Sequence, residues 1–204
     1  MPWERYIVQQ FQSALPRGEL DESQYYGPYN TLLHYLFPPS ESYMVVPQYK
    51  RPTQLTSIDF TTIFLIQQGQ HPVFFLEIKA AEHLRNKYTR AAADKQMRER
   101  VEDLGDHVEI PILYGVSAMG TKLCFYKYTK DTGQLEPELI PGHIKIVVDT
   151  APRDRWDFDM LTDEGERKLR EVVGEVKRMC GQMGQGWLCR FCDSNPLTND
   201  YEGN

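Results

Sequence analysis

The chain has 204 residues, of which 41% are hydrophobic and 12% aromatic, and its formal net charge is −6. This length favours one domain with a substantial core. The net acidity argues against a general nucleic-acid coat, so basic contacts would have to be local. No apolar run approaches the length of a membrane span, no secretory signal is visible at the N-terminus, and the four cysteines are scattered rather than set out as a disulfide framework. We therefore expect an intracellular protein, cytoplasmic or nuclear, that does not enter a membrane.

The N-terminal part of the chain predicts two helices and an outer strand. The second helix is expected at Glu22–Phe37, with a restart near Pro28 because a Gly-Pro pair suits a helix start. Tyr43–Tyr49 is typical of a strand, and Pro47 places it at the edge of a sheet because proline cannot donate to a strand ladder. The first helix is indicated by apolar residues three or four apart: Trp3, Ile7, Phe11 and Ala14.

Two apolar segments, Ile58–Ile66 and Val73–Ala80, flank a polar turn at Gln68–His71. Their Ile, Phe and Val content is typical of strands, and Gly69 can take the positive φ that a tight turn requires. The pattern therefore predicts an antiparallel hairpin centred on Gly69.

Three charged residues, Asp59, Glu77 and Lys79, interrupt the apolar segments of this hairpin. Glu77 and Lys79 are two apart and so share one face of their strand, and pairing across the hairpin brings Asp59 near them. Burying such charges is costly unless they are paired or hold a metal. A structural Asp–Lys salt bridge, or a polar face turned to water, is the alternative. We favour a Mg²⁺ site beside a cation that contacts phosphate, because the charges break otherwise solid apolar runs.

Asp59 together with Glu77-Ile78-Lys79 resembles the PD-(D/E)XK motif of restriction-endonuclease-like nucleases, with Ile58 where the family name has proline. The resemblance also covers the order of elements from about residue 22 to 125: helix, strand, motif hairpin, helix and two more strands. More loosely, the chain is similar to filamentous-fungal proteins of that fold, some of them allied to crinkler-type effectors. The resemblance implies an α/β fold with a mixed sheet flanked by helices, as a single domain over residues 1–180.

The resemblance also implies a function, the Mg²⁺- or Mn²⁺-dependent hydrolysis of DNA, with DNA favoured over RNA and homodimerisation left open. Lys79 would act on the attacking water, and Gln96 corresponds to a glutamine that several such families carry on the following helix. The implied metal ligands are Asp59, Glu77, the backbone carbonyl of Ile78 and, from the preceding helix, Glu22. The alternative is a catalytically silent nuclease-like scaffold that binds nucleic acid or a protein partner.

The segment after Lys79 predicts a helix that ends at Gly105, with a kink or restart near Asp94 where its apolar stripe shifts. It is the most basic part of an acidic chain. Because it departs directly from Lys79, its cations could line the approach of a phosphate backbone, although a solvated helix face is the alternative. The basic residues are Arg85, Lys87, Arg90, Lys95, Arg98 and Arg100.

A second hairpin is predicted from Ile110–Ala118 and Lys122–Tyr128, turning at Met119-Gly120. Tyr114 and Ser117 could face the site, and packing is the alternative for both. A further strand is expected at 144–149.

The C-terminal part predicts one helix and a mobile tail. Asp163 and Glu166 have the spacing of a capping box, and the tail is expected over residues 181–204 because it is rich in Gly and polar residues. Cys189 and Cys192 make only half of a zinc site, so we expect free thiols. The buried face of the helix is expected at Leu169, Val172, Val173, Val176 and Met179.

Overall fold

A mixed β-sheet flanked by helices forms the centre of the molecule, in a computed structural model that describes residues 3–47 and 63–193. Within these ranges the sheet has seven strands, and their order is β1-β2-β3-β4-β5-β6, with β7 also paired to β5. The predicted mixed α/β fold is confirmed at this level. The strands are β1 Tyr43–Pro47, β2 Ile63–Gln68, β3 His71–Lys79, β4 Ile112–Met119, β5 Lys122–Thr129, β6 Gln134–Glu136 and β7 Phe158–Asp159. The helices are α1 Arg5–Ala14, α2 Tyr26–Leu36, α3 Lys87–Gly105 and α4 Asp163–Asp193.

The hairpin β2–β3 confirms the turn predicted from the sequence. Gly69 has φ +63°, a value that other residues rarely adopt. The register pairs Ile63 with Glu77, and an irregularity between Ile66 and Gln67 shifts the pairing near the turn. The N-terminal half of the predicted first strand, including Asp59, lies outside the described residues.

Strands β3 and β4 are parallel, whereas every other described pair is antiparallel. Parallel neighbours need a long crossover, and α3 with the 3₁₀ turn before it supplies this connection. The predicted hairpin β4–β5 is present, and β1 is an edge strand as Pro47 indicates.

The two faces of the sheet are covered by different helices. On one face, a Cβ on Gly115 would lie 2.3 Å from the ring of Phe75 and 2.9 Å from Met97 of α3, so only glycine allows this close packing. On the other face, the ring of Phe74 lies 5.4 Å from that of Phe37, which follows α2. Because side chains alternate along a strand, Glu77 shares the α3 face with Phe75.

Helix α3 differs from its prediction in where it begins. The chain first makes a 3₁₀ turn at Ala81–Arg85, and α3 then starts after Asn86, whose side chain accepts a hydrogen bond from the Tyr88 N–H at 2.9 Å. The break therefore falls at Asn86, a favourable N-cap residue, and not near Asp94. The buried face that results includes two charged residues: Arg90, Ala93, Asp94, Met97, Val101 and Leu104.

The predicted strand at 144–149 is wrong. The segment has no strand pairing, and Ile144, Ile146 and Val147 are exposed to solvent. Its apolar composition is typical of a strand, but no sheet edge in the described part of the chain receives it.

Helix α4 buries the face predicted for it, with Leu169, Val172, Val173, Val176 and Met179 in the core. Its start differs from the prediction, because the Thr162 hydroxyl accepts a hydrogen bond from the Gly165 N–H at 3.2 Å and takes the capping role assigned to Asp163. The helix continues to Asp193, beyond the domain boundary predicted at residue 180. No helix of the described residues is long and apolar enough to cross a membrane.

Candidate functional site

Strand β3 ends in the sequence Glu77-Ile78-Lys79, and both charged residues are buried there. Glu77 is 1% exposed and Lys79 9%. The strand lies between β2 and β4, and α3 covers the face that carries Glu77, so water has little access to the carboxylate. A buried carboxylate in such a place needs a specific explanation.

The Glu77 carboxylate has incomplete partners. Lys79 Nζ lies 3.4 Å from Glu77 Oε1, close enough for an ion pair, yet neither oxygen accepts a hydrogen bond from a described residue. Burial raises the pKa of the Glu77 carboxyl, while the charges of Lys79 and Arg100 lower it. The raising effect prevails, so burial makes the charged carboxylate less favourable here than in water, and further positive charge would offset that cost.

Two other buried polar groups near this carboxylate also lack partners. Ser117 of β4 is the register partner of Glu77 and lies on the same face of the sheet, and its hydroxyl has no hydrogen bond within the described residues. Arg100 of α3 acts electrostatically on Glu77, and its Nε–H is buried and equally unpaired there. The Glu77 carboxylate, the Ser117 hydroxyl and the Arg100 Nε–H therefore lie in one region, yet no hydrogen bond joins them.

Glu22 borders the same region from the 3₁₀ turn before α2. Its negative charge raises the pKa of Glu77, and this is the smallest of the influences on that carboxyl. The Tyr26 hydroxyl donates a hydrogen bond to Glu22 Oε1 at 2.8 Å and fixes its position. The structure thus places Glu22, predicted as a metal ligand, within electrostatic reach of Glu77.

The remaining predicted site residues have different outcomes. Gln96 is half-buried on α3, one turn before Arg100 and so on the same side of that helix. Asp59 lies outside the described residues. Within the described residues, no cluster of three or more His, Cys, Asp or Glu side chains forms a metal site. Cys189 and Cys192 fall in the last turns of α4, outside the described side chains, so that prediction stays open.

Arg90, predicted to face nucleic acid, is buried in the protein. Its guanidinium donates to the carbonyls of Ala151 at 2.8 Å and Leu84 at 3.0 Å, and to the Asp149 carboxylate. These bonds attach the segment before residue 152 to α3. Arg90 therefore holds the fold together, and its side chain is only 7% exposed.

Arg98 has a similar internal role, organised around the buried Asp94. The Asp94 carboxylate accepts hydrogen bonds from Arg98 at 2.8 and 3.1 Å, from Arg155 at 2.8 Å and from the Tyr126 hydroxyl at 2.9 Å. Arg98 also donates to the Pro137 carbonyl at 2.8 Å. An Asp in an apolar stripe with an Arg four residues later was the local signal for this network, but Arg155 is distant in sequence.

The basic segment is therefore not a continuous phosphate-binding face. Two of its six predicted cations, Arg90 and Arg98, form hydrogen bonds within the protein, and a third, Arg100, acts electrostatically on Glu77. The other three have partners within the chain: Arg85 pairs with Glu19 at 3.1 Å, Lys87 lies 5.3 Å from the Tyr88 ring centroid, and Lys95 pairs with Glu99 at 3.4 Å.

Comparison of the chain with protein-family models, with curated proteins and with solved structures gives no match. The fold class and the arrangement around Glu77 therefore carry the functional argument.

Proposed function

We propose that this protein is a Mg²⁺- or Mn²⁺-dependent nuclease with a restriction-endonuclease-like core that hydrolyses phosphodiester bonds of DNA. The order of elements supports it: α2, β1, the hairpin β2–β3, α3, and then β4 and β5 follow one another as the sequence resemblance implies. The Glu-x-Lys run also falls at the end of β3, where it meets the parallel strand β4.

The observation that carries the proposal is the buried Glu77 carboxylate, whose two oxygens have no hydrogen bond from a described residue. Mg²⁺ prefers carboxylate and carbonyl oxygens as ligands. Glu77 fits this requirement, and Asp59, the carbonyl of Ile78 and Glu22 are the further ligands that we propose. The ion pair with Lys79 reaches Oε1, and neither carboxylate oxygen accepts a hydrogen bond within the described residues, so a salt bridge is the weaker explanation.

Each residue has a separate role in the proposed reaction. A bound divalent cation would polarise the phosphoryl oxygen and lower the pKa of the attacking water. Lys79, held beside Glu77, would orient that water and stabilise negative charge that develops on the phosphate. Burial of the site strengthens these electrostatic interactions, because water does not screen them.

A cleavage assay tests this function. Purified protein is incubated with plasmid DNA, linear DNA, single-stranded DNA and RNA, with Mg²⁺ or Mn²⁺ and with EDTA. We expect metal-dependent cleavage of DNA that is lost in Glu77→Gln. Absence of cleavage of every substrate at millimolar Mn²⁺ would contradict the enzyme assignment.

A second candidate function is a nuclease-like scaffold that binds nucleic acid or a protein partner without cutting it. The internal hydrogen bonds of Arg90 and Arg98 favour this alternative, since they reduce the basic surface of a chain with a net charge of −6. The scaffold is distinguished from the nuclease if the protein binds nucleic acid, does not cleave it, and binds equally well with and without metal.

A further inference from the structure

Arg100 occupies an unusual position for a basic residue on α3. Its side chain is 20% exposed, and its ion pair with Asp103 is a long one, 3.7 Å from Nη1 to Oδ2. Its Nε–H is buried and unpaired within the described residues, although its charge acts on the buried carboxylate of Glu77. A desolvated guanidinium donor of this kind costs stability unless a ligand completes it.

We propose that Arg100 binds the scissile phosphate of the substrate, an inference that rests on the proposed nuclease function and assigns its anion-binding residue. The guanidinium group matches phosphate oxygens in geometry and charge. A phosphate on a cation held by Glu77 would supply the acceptor that Arg100 lacks, whereas Glu77 itself makes no hydrogen bond with it.

Ser117 provides an independent observation at the same place. It is 1% exposed, lies beside Glu77 in the register of β3 and β4, and has an unpaired hydroxyl within the described part of the chain. Two unsatisfied donors and an unsatisfied carboxylate lie in one region, and a polar ligand that contacts more than one of them would satisfy them together. Among the predicted cations of the basic segment, Arg100 is the one whose charge lowers the pKa of this carboxyl.

The test compares Arg100→Gln with Arg100→Lys and with the matched control Lys95→Gln, which removes the same charge from an exposed position of the same helix. The first measurement is the melting temperature with Mn²⁺ alone. We expect wild type and all three variants to be stabilised equally, which shows that they are folded and that metal binding is intact. No Mn²⁺ effect in the wild type would count against the metal site and hence the proposed function, and not against Arg100.

The second measurement is the binding of a fluorescent DNA duplex in Ca²⁺ as a function of salt, together with the rate of cleavage in Mg²⁺. We expect Arg100→Gln to weaken DNA binding about tenfold or more, since a hydrogen bond to a charged group is lost, and to reduce the salt slope by about one unit. Cleavage should fall further than binding, and Arg100→Lys should recover part of it. Binding and cleavage equal to Lys95→Gln would overturn the inference while leaving the nuclease function intact.

A third measurement decides the inference if the wild type does not cut DNA. Inorganic phosphate in the presence of Mn²⁺ should raise the melting temperature of the wild type and of Lys95→Gln, and not that of Arg100→Gln. An equal phosphate effect on Arg100→Gln, or none on the wild type, would overturn the assignment of Arg100 as the anion-binding residue.

Discussion

The substitution Glu77→Gln should change stability in opposite directions without and with metal. In the metal-free protein the carboxylate is buried, has no hydrogen bond within the described residues and has a raised pKa despite Lys79 at 3.4 Å. Glutamine keeps the shape and removes the charge. A buried unsatisfied group costs about 1–3 kcal/mol. The amide also lacks partners, so we expect a gain near the lower end, about 1 kcal/mol, or roughly 2–4 °C in melting temperature for a domain of this size.

Bound metal should reverse the order of stability of the wild type and Glu77→Gln. A ligand present at a hundred times its dissociation constant stabilises the folded state by about 2.7 kcal/mol, which corresponds to roughly 5–11 °C for the wild type. Glu77→Gln should show almost none of this rise, so the wild type becomes the more stable protein.

Differential scanning fluorimetry in EDTA and in a Mn²⁺ series measures both effects. Glu99→Gln is the matched control, because it removes the same charge from an exposed position of α3 and should behave like the wild type. The reasoning is refuted if Glu77→Gln is destabilised in EDTA, or if Mn²⁺ raises its melting temperature as much as that of the wild type.

Further predictions concern pH, Lys79, the Asp94 network and the exposed cations. Because burial raises the pKa of Glu77 above its ordinary 4.5, the unfolded chain ionises first as the pH rises. The free energy of unfolding of the metal-free wild type, measured with denaturant, should therefore fall relative to that of Glu77→Gln between about pH 4.5 and the raised pKa. Above that pKa the difference between the two proteins should stay constant. A difference that does not depend on pH would contradict this. Lys79→Ala should keep the Mn²⁺-induced rise in melting temperature and lose cleavage by about a hundredfold or more, and loss of the rise would make Lys79 part of the metal site. Asp94→Asn should lower the free energy of unfolding in urea by about 3 kcal/mol, since it leaves two partly buried guanidinium groups, those of Arg98 and Arg155, without their buried charge partner; a loss below about 1 kcal/mol would show that the network is dispensable. In DNA binding, Arg85→Gln should reduce the salt slope by about one unit, whereas Lys95→Gln should leave it unchanged because Lys95 pairs with Glu99 on the solvated face of α3; an unchanged slope for Arg85→Gln would assign Arg85 to the solvated face as well.

The sequence predicted the elements whose signals are local. The hairpin around Gly69, the edge strand marked by Pro47 and the buried face of α4 all follow from turn chemistry and periodicity, and the structure confirms them. Asn86 was also a local signal, since it is a favourable N-cap, but the helical composition around it concealed the break.

What the sequence did not predict depends on contacts between distant residues. Arg90 and Asp94 appear as polar residues of an exposed helix until Asp149 and Arg155 are brought against them. The unpaired Ser117 hydroxyl likewise becomes notable only when β4 lies beside Glu77. Periodicity cannot show which polar residue will find a partner, because that depends on the tertiary fold.

The central claim is that Glu77 holds a divalent cation, and anomalous diffraction from crystals grown with Mn²⁺ tests it most directly. The claim predicts an anomalous peak within ligand distance of a Glu77 carboxylate oxygen, and the same map would show whether Asp59 shares the ion. No peak at Glu77 at millimolar Mn²⁺, with the carboxylate still paired only to Lys79, would contradict it.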